Sequence, residues 1–205
     1  MNALLSFAAA LISLRLAGRL LRARRYAWAG GLLSFAVAAA MIAWGSAHGW
    51  DAPSFRVYYL AGALLSAPLL GFGSLQLAGR GWAGPLCLAY TGLAVGVATA
   101  MPLHGSFGTT HVPRAQDHVD AWPRVLAIGG SSLGALAVLA VAIATLRRRP
   151  RGNALLVAAI AAAAAASALT QTARQMSLVS SPRAIASLTV QPRVGTTKSR
   201  AHEWA

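Results

Sequence analysis

Acidic residues are nearly missing. Asp51, Asp117, Asp120 and Glu203 are the whole set in 205 residues, and charged residues of both signs reach only 11%. Soluble chains carry about 25%. So few charges cannot coat a water-facing globule of this length, which excludes an ordinary soluble domain and most soluble enzymes. Cysteine occurs once, at Cys87 inside an apolar run, so no intrachain disulfide scaffold exists and the thiol reads as a small packing residue. Lysine also occurs once. The +14 net charge is therefore almost entirely arginine. A basic balance of that size is the footprint of a nucleic-acid binder when it lies along one polar face. Here the arginines sit in short clusters between apolar runs, and nucleic acid is excluded as a partner.

What is present is hydrocarbon. Hydrophobic residues make up 57% of the chain, and the mean hydropathy is +0.57. A bilayer core about 30 Å thick takes roughly 20 apolar residues in helical form. Six stretches reach that length or come near it: 2–21, 26–46, 57–78, 82–101, 122–146 and 153–170. The expectation is an all-α polytopic transmembrane bundle spanning 1–170, followed by a basic tail over 171–205. In the tail, 176–190 is the candidate for a seventh crossing, but it is short and contains Pro182 beside Arg183. The first stretch differs from a signal peptide in its charge order, since Arg15, Arg19, Arg22, Arg24 and Arg25 follow the apolar run instead of preceding it.

Lys and Arg are retained in cytoplasmic loops. With the N-terminus outside, the inward loops collect Arg15, Arg19, Arg22, Arg24, Arg25, Arg80, Arg147, Arg148, Arg149 and Arg151, and the outward loops only Arg56, Arg114 and Arg124. The aromatic residues fit the same boundaries. Tyr26, Trp28 and Trp82 fall near the inner interface, and Trp44, Trp50, Tyr58, Tyr59 and Trp122 near the outer one, where amphipathic rings are favoured.

Helices in lipid associate through close contact of small residues. Small-xxx-small steps occur at Gly30–Ser34, Gly92–Gly96 and Gly130–Gly134, and these are expected to be contacts within the bundle, with one of them serving as a homodimer face as the alternative. Pro68, followed by Gly71 and Gly73, predicts a kink in the third span. The mild polar residues Ser66, Ser74, Gln76, Thr91, Ser131 and Ser132 are the polar content of the spans, and no span centre carries a formal charge.

For chemistry, the loop at 102–121 is the richest segment. It holds His104, His111 and His118 with Asp117 and Asp120. Imidazole and carboxylate are the ligand types of zinc and copper sites, so these five residues are the candidate metal set, although their seven-residue spacing matches no established metal motif. The alternative is a polar exposed loop. Acyl transfer through a His and an Asp four residues apart misses on spacing, no serine has a credible base, and no phosphate-cradling glycine loop is present. Catalytic residues and cofactors are accordingly expected to be none.

Three stretches carry a resemblance: Gly49-Trp50 leading into Phe55-Arg56-Val57-Tyr58-Tyr59-Leu60-Ala61-Gly62-Ala63, then Leu70-Gly71-Phe72-Gly73-Ser74-Leu75, then Gly152-Asn153-Ala154-Leu155-Leu156. Together they resemble a group of small bacterial membrane proteins, common in actinobacteria, with about seven helices and no assigned activity. The resemblance covers roughly 1–170 and implies a further C-terminal crossing, from which this chain departs at Pro182-Arg183.

The functional expectation is a non-enzymatic, multi-pass component of a bacterial cytoplasmic membrane, with a structural, sensory or partner-binding role. Its partners would be membrane lipid and other membrane proteins or a second copy of itself. The alternatives are a carrier or channel for an uncharged or lipophilic solute, and an extracytoplasmic metal-binding protein. The orientation is testable. In a Cys87→Ala background, single cysteines at 47 and 108 should react with a membrane-impermeant maleimide on intact cells. Cysteines at 24 and 79 should react only after permeabilisation, and the opposite pattern would invert the topology.

Overall fold

The computed structural model describes residues 2–108 and 110–145. The expected sixth span at 153–170, the arginines at 147–151 and the tail over 171–205 lie outside the described residues. The described chain is a helical bundle. Its elements are α1 (Asn2–Arg22), α2 (Tyr26–His48), α3 (Ala52–Tyr58), a π-helical segment (Tyr59–Ser66), α4 (Ala67–Leu77), α5 (Ala83–Ala100), the short α6 (Ala115–His118) and α7 (Ala121–Ala144). Helix α3, the π segment and α4 form one continuous rod over Ala52–Leu77, so five rods are long and apolar enough to cross a membrane. Among the described residues, extended backbone pairs only at an isolated bridge between Leu103 and Val119.

Side chains are distributed as lipid requires. Buried positions are mostly alanine and other small residues, whereas Leu4, Leu5, Leu88, Ile128, Leu133 and Leu136 lie 60–76% exposed. Water would drive those leucines inward, but lipid does not, so small residues take the seams because they let backbones approach. The α1–α2 pair is a plain case. Ala10, Ser13 and Ala17 are the buried residues of α1, spaced to form a single stripe on one helix face.

The third rod begins five residues earlier than the expected 57. Asp51 caps it, with its carboxylate accepting from the Ser54 backbone N–H at 2.9 Å while Ser54 Oγ accepts from the Asp51 N–H at 3.1 Å. Pro53 stands in the first turn, where its missing N–H costs nothing. This places Arg56 within a helix, although loop counting treats it as an outward loop charge. Its guanidinium donates to the carbonyls of Thr99 at 2.6 Å and Met101 at 3.1 Å, closing the C-terminal end of α5 where a cation is favoured.

Pro68 determines the centre. Proline offers no N–H to the carbonyl four residues back, its α-helical partner, nor to the one five back, its π-helical partner. Those carbonyls belong to Leu64 and Ala63. Tyr90 Oη donates to the Leu64 oxygen at 2.9 Å, and Ser131 Oγ donates to the Ala63 oxygen at 3.0 Å. The expected kink therefore takes the form of the π-helical stretch immediately before the proline, stitched by hydroxyls from α5 and α7.

The Gly130–Gly134 step is the second half of the same contact. A Cβ on Gly71 would lie 2.6 Å from Gly134 Cα, one on Gly134 would overlap the Ala67 carbonyl, and one on Gly130 would overlap the Tyr90 hydroxyl. Backbones of α4 and α7 thus touch at Pro68. Gly31 packs in the same manner against Leu70, whereas Gly92 and Gly96 have open space around them. Cys87 is buried in a small cluster with Ala27 and Leu69.

These contacts make a linked prediction. Tyr90→Phe and Ser131→Ala should each lower the unfolding free energy by about 1 kcal/mol, as interhelical hydrogen bonds in membranes do. Gly134→Leu should cost about 1–3 kcal/mol through overpacking. In a Pro68→Ala background the missing N–H returns, and the Tyr90→Phe loss should shrink toward zero. Denaturant or steric-trapping titration of the five variants, the Pro68→Ala/Tyr90→Phe pair included, measures it, and an unchanged Tyr90→Phe loss in the Pro68→Ala background would contradict the assignment.

Candidate functional site

The loop between α5 and α7 is pinned to the end of the bundle. The Leu103–Val119 bridge holds its two limbs together, and the His104 N–H donates to the His118 carbonyl at 3.0 Å. In return His118 Nδ1 lies 2.7 Å from the His104 carbonyl, which makes Nδ1 the protonated ring nitrogen. The His118 ring stacks on Phe107 at 4.4 Å between centroids and lies 5.7 Å from Phe55. Beneath it, Phe55, Trp50 and Tyr59 are buried and pack together. Trp50 and Tyr59 are thus core residues of this end of the bundle, in contrast to the interfacial role expected of them. Trp44, Trp82, Tyr26 and Trp122 remain exposed.

The five candidate metal ligands are not gathered. His104 Nε2 meets Asp120 Oδ1 at 3.1 Å, with both side chains more than half exposed. A pair at that exposure contributes about 0–1 kcal/mol. His118 is engaged with the His104 backbone, and His111 and Asp117 are exposed. Among the described residues, no three His, Cys, Asp or Glu side chains are grouped so as to hold a metal ion.

What the fold does build is a cleft of about 490 Å³ beneath this loop. It runs between the start of the π segment, α6 and the first half of α7. Gln116 and Arg124 stand at its loop end, Ala63, Ala115, Ala121, Val125, Ala127 and Ile128 supply apolar walls, and Ser131 is the last residue of α7 to line it. Small-molecule sites have this form, a mostly apolar cleft of about 300–1,000 Å³ with a few polar groups. No acidic residue lines it.

Two polar groups of the cleft are incompletely used. Tyr59 is 3% exposed, and its hydroxyl has no hydrogen-bond partner. Buried hydroxyls are nearly always satisfied. Arg124 is half-buried, and its Nε makes a long 3.3 Å contact with the Asp120 carbonyl. It stands in the first turn of α7, which contains no acid, and the Asp120 side chain makes no cap to that helix. A cation there opposes the helix dipole.

Comparison with protein-family models, with curated proteins and with solved structures finds no match to this chain. The site therefore rests on its own geometry. Reading the sequence places Arg124 only among topology charges, Tyr59 among interfacial aromatics and Ser131 among mild polar residues. The available signal was the arginine one turn into an acid-free helix start.

The Asp51 cap positions Phe55, Arg56 and Tyr59, and it has a pH signature. Hydrogen bonds from the Ser54 side chain and then from its backbone N–H hold the Asp51 carboxyl below the usual range. A lowered folded pKa means the contribution is complete above the unfolded value of about 4 and is lost as pH falls through the folded one. The stability difference between wild type and Asp51→Ala should therefore shrink on acidification from pH 6 toward pH 3. Thermal unfolding across that range measures it, and a pH-independent difference would refute the cap.

Proposed function

We propose that this chain is a non-enzymatic integral membrane protein that acts by binding a lipophilic ligand in the cleft between the third rod and α7, in a sensory or partner-regulating role. The observation that carries the reading is the cleft itself, apolar along its walls and polar at its loop end, with an unsatisfied buried hydroxyl in its lining. The five apolar rods support a membrane location. Placement in a bacterial cytoplasmic membrane with the N-terminus outside follows from the arginine distribution and belongs to this proposal.

Binding is favoured over carriage by how the cleft ends. Its lining on α7 stops at Ser131, whose hydroxyl is tied to the Ala63 carbonyl, and one turn further Gly134 lies against Gly71 and Ala67. Backbone contact at that level leaves no passage between α4 and α7. A lipophile entering from the loop end would stop at mid-rod.

The reading predicts that a bulky side chain filling the cleft abolishes ligand capture without unfolding the protein. Val125 and Ile128 line it and are 59% and 68% exposed, so Val125→Trp and Ile128→Trp remove no buried contact. Purified protein should be labelled by a photoactivatable long-chain alcohol on peptides covering 59–63 and 124–131, and both tryptophan variants should lose most of that labelling. Labelling spread evenly over all five rods would contradict the site.

A further inference from the structure

Resting on the ligand-binding reading, we propose that the ligand is an anionic membrane lipid, with its phosphate headgroup held at Arg124 and one acyl chain laid along the Val125–Ile128 wall. Three observations converge on that chemistry. The first is uncompensated positive charge. Arg124 stands in the acid-free first turn of α7, where the helix end is itself positive and its leading N–H groups are unpaired. The nearest carboxylate in sequence, Asp120, is turned to His104 at 3.1 Å. An arginine fork is built for oxyanions, which it binds through paired N–H donors.

The second is the orphaned donor. Tyr59 is among the residues lining the same cleft, and its buried hydroxyl, like the indole N–H groups of Trp28 and Trp50, has no partner among the described residues. A phosphate oxygen at Arg124 supplies an acceptor of the kind that hydroxyl lacks. The third is the direction of opening. Val125 and Ile128 form a wall and are themselves exposed sideways, and Trp122, 83% exposed, stands one turn toward the loop. Tryptophan at that place belongs to the headgroup level. An amphiphile already in the bilayer meets the cationic end and the apolar wall at matching depths. The absence of acid from the lining selects against cationic amphiphiles.

The test uses the full chain in a neutral detergent and three photoactivatable probes with one identical acyl chain, ending in a phosphate monoester, a phosphocholine or a hydroxyl. The phosphate probe should bind about tenfold tighter than the hydroxyl probe, the increment of one charge-assisted hydrogen bond. Its label should fall on 124–131. Arg124→Gln should erase that preference by weakening the phosphate probe far more than the hydroxyl probe, and Arg124→Lys should retain part of it. Tyr59→Phe should weaken the phosphate probe about threefold and the hydroxyl probe less. Millimolar inorganic phosphate should not displace the lipid probe.

Equal affinity for the three headgroups, or a preference that survives Arg124→Gln, overturns the anionic assignment while leaving the lipophile cleft standing. Displacement by inorganic phosphate overturns the lipid in favour of a small oxyanion. Failure of all three probes to label the cleft removes the ligand-binding reading itself, and this inference with it. Monodisperse elution and an unchanged thermal midpoint identify variants that are folded, and the wild-type headgroup series decides the question even if Arg124→Gln does not fold.

Discussion

A proline placed near the middle of an apolar rod leaves backbone carbonyls that hydrocarbon cannot satisfy, and the rest of this bundle is organised around supplying them with donors. Water would solvate the Leu64 and Ala63 oxygens at little cost; in a bilayer each unsatisfied group costs several kcal/mol. The donors come from two other rods, Tyr90 of α5 and Ser131 of α7. Because a hydroxyl reaches only about 3 Å, both helices must approach closely, and Gly130, Gly134 and Gly71 are the residues that permit it. Proline, serine, tyrosine and the glycines are therefore one device spread over three helices. Together they fix the register of α7 against α4 and of α5 against the π segment.

Packing elsewhere follows from the same solvent. Lipid provides no force to bury a leucine, so seams such as Ala10, Ser13 and Ala17 against α2 rely on surface fit. The loop end is different. There Trp50, Phe55, Tyr59, Phe107 and His118 bury large rings beneath a loop held by the Leu103–Val119 bridge. That end resembles the core of a soluble domain in composition, with large rings packed beneath the polar side chains of the loop.

The rods were legible because their signal is one of length and composition: all five described spans coincide with expected stretches. Boundaries were less so. The third rod starts at Ala52 because Asp51, Pro53 and Ser54 make a helix start, a pattern hidden when hydropathy alone sets the ends. Pro68 announced a break, and Gly130–Gly134 announced a close contact. That the two meet is a fact of pairing between helices 60 residues apart in sequence, which no local pattern encodes. The cleft was not legible for the same reason. Arg124 and Tyr59 are ordinary interface residues singly, and only the register set at Pro68 brings them to one lining. The histidine loop shows the opposite case. Its ligand-type residues were conspicuous, yet the backbone bridge directs His104 to Asp120 and His118 to a carbonyl.

The position of the cleft is a consequence of the central stitch. Two rods that touch at Gly71 and Gly134 can diverge only away from that contact, and bulk inserted between them at one end holds them apart there. The aromatic cluster under the loop, which packs Phe55 and Tyr59 of the third rod with Ala127 of α7, is such bulk. A lateral opening then forms between the point of contact and the wedge, with Ser131 at its floor and Arg124 at its mouth. The same serine that supplies the Ala63 carbonyl closes the cleft, so the polar groups that hold the bundle together also set how deep a bound chain can reach. A ligand that grips Arg124 therefore bears on the first turns of α7, while the middle of that helix is held against α4 at Gly134.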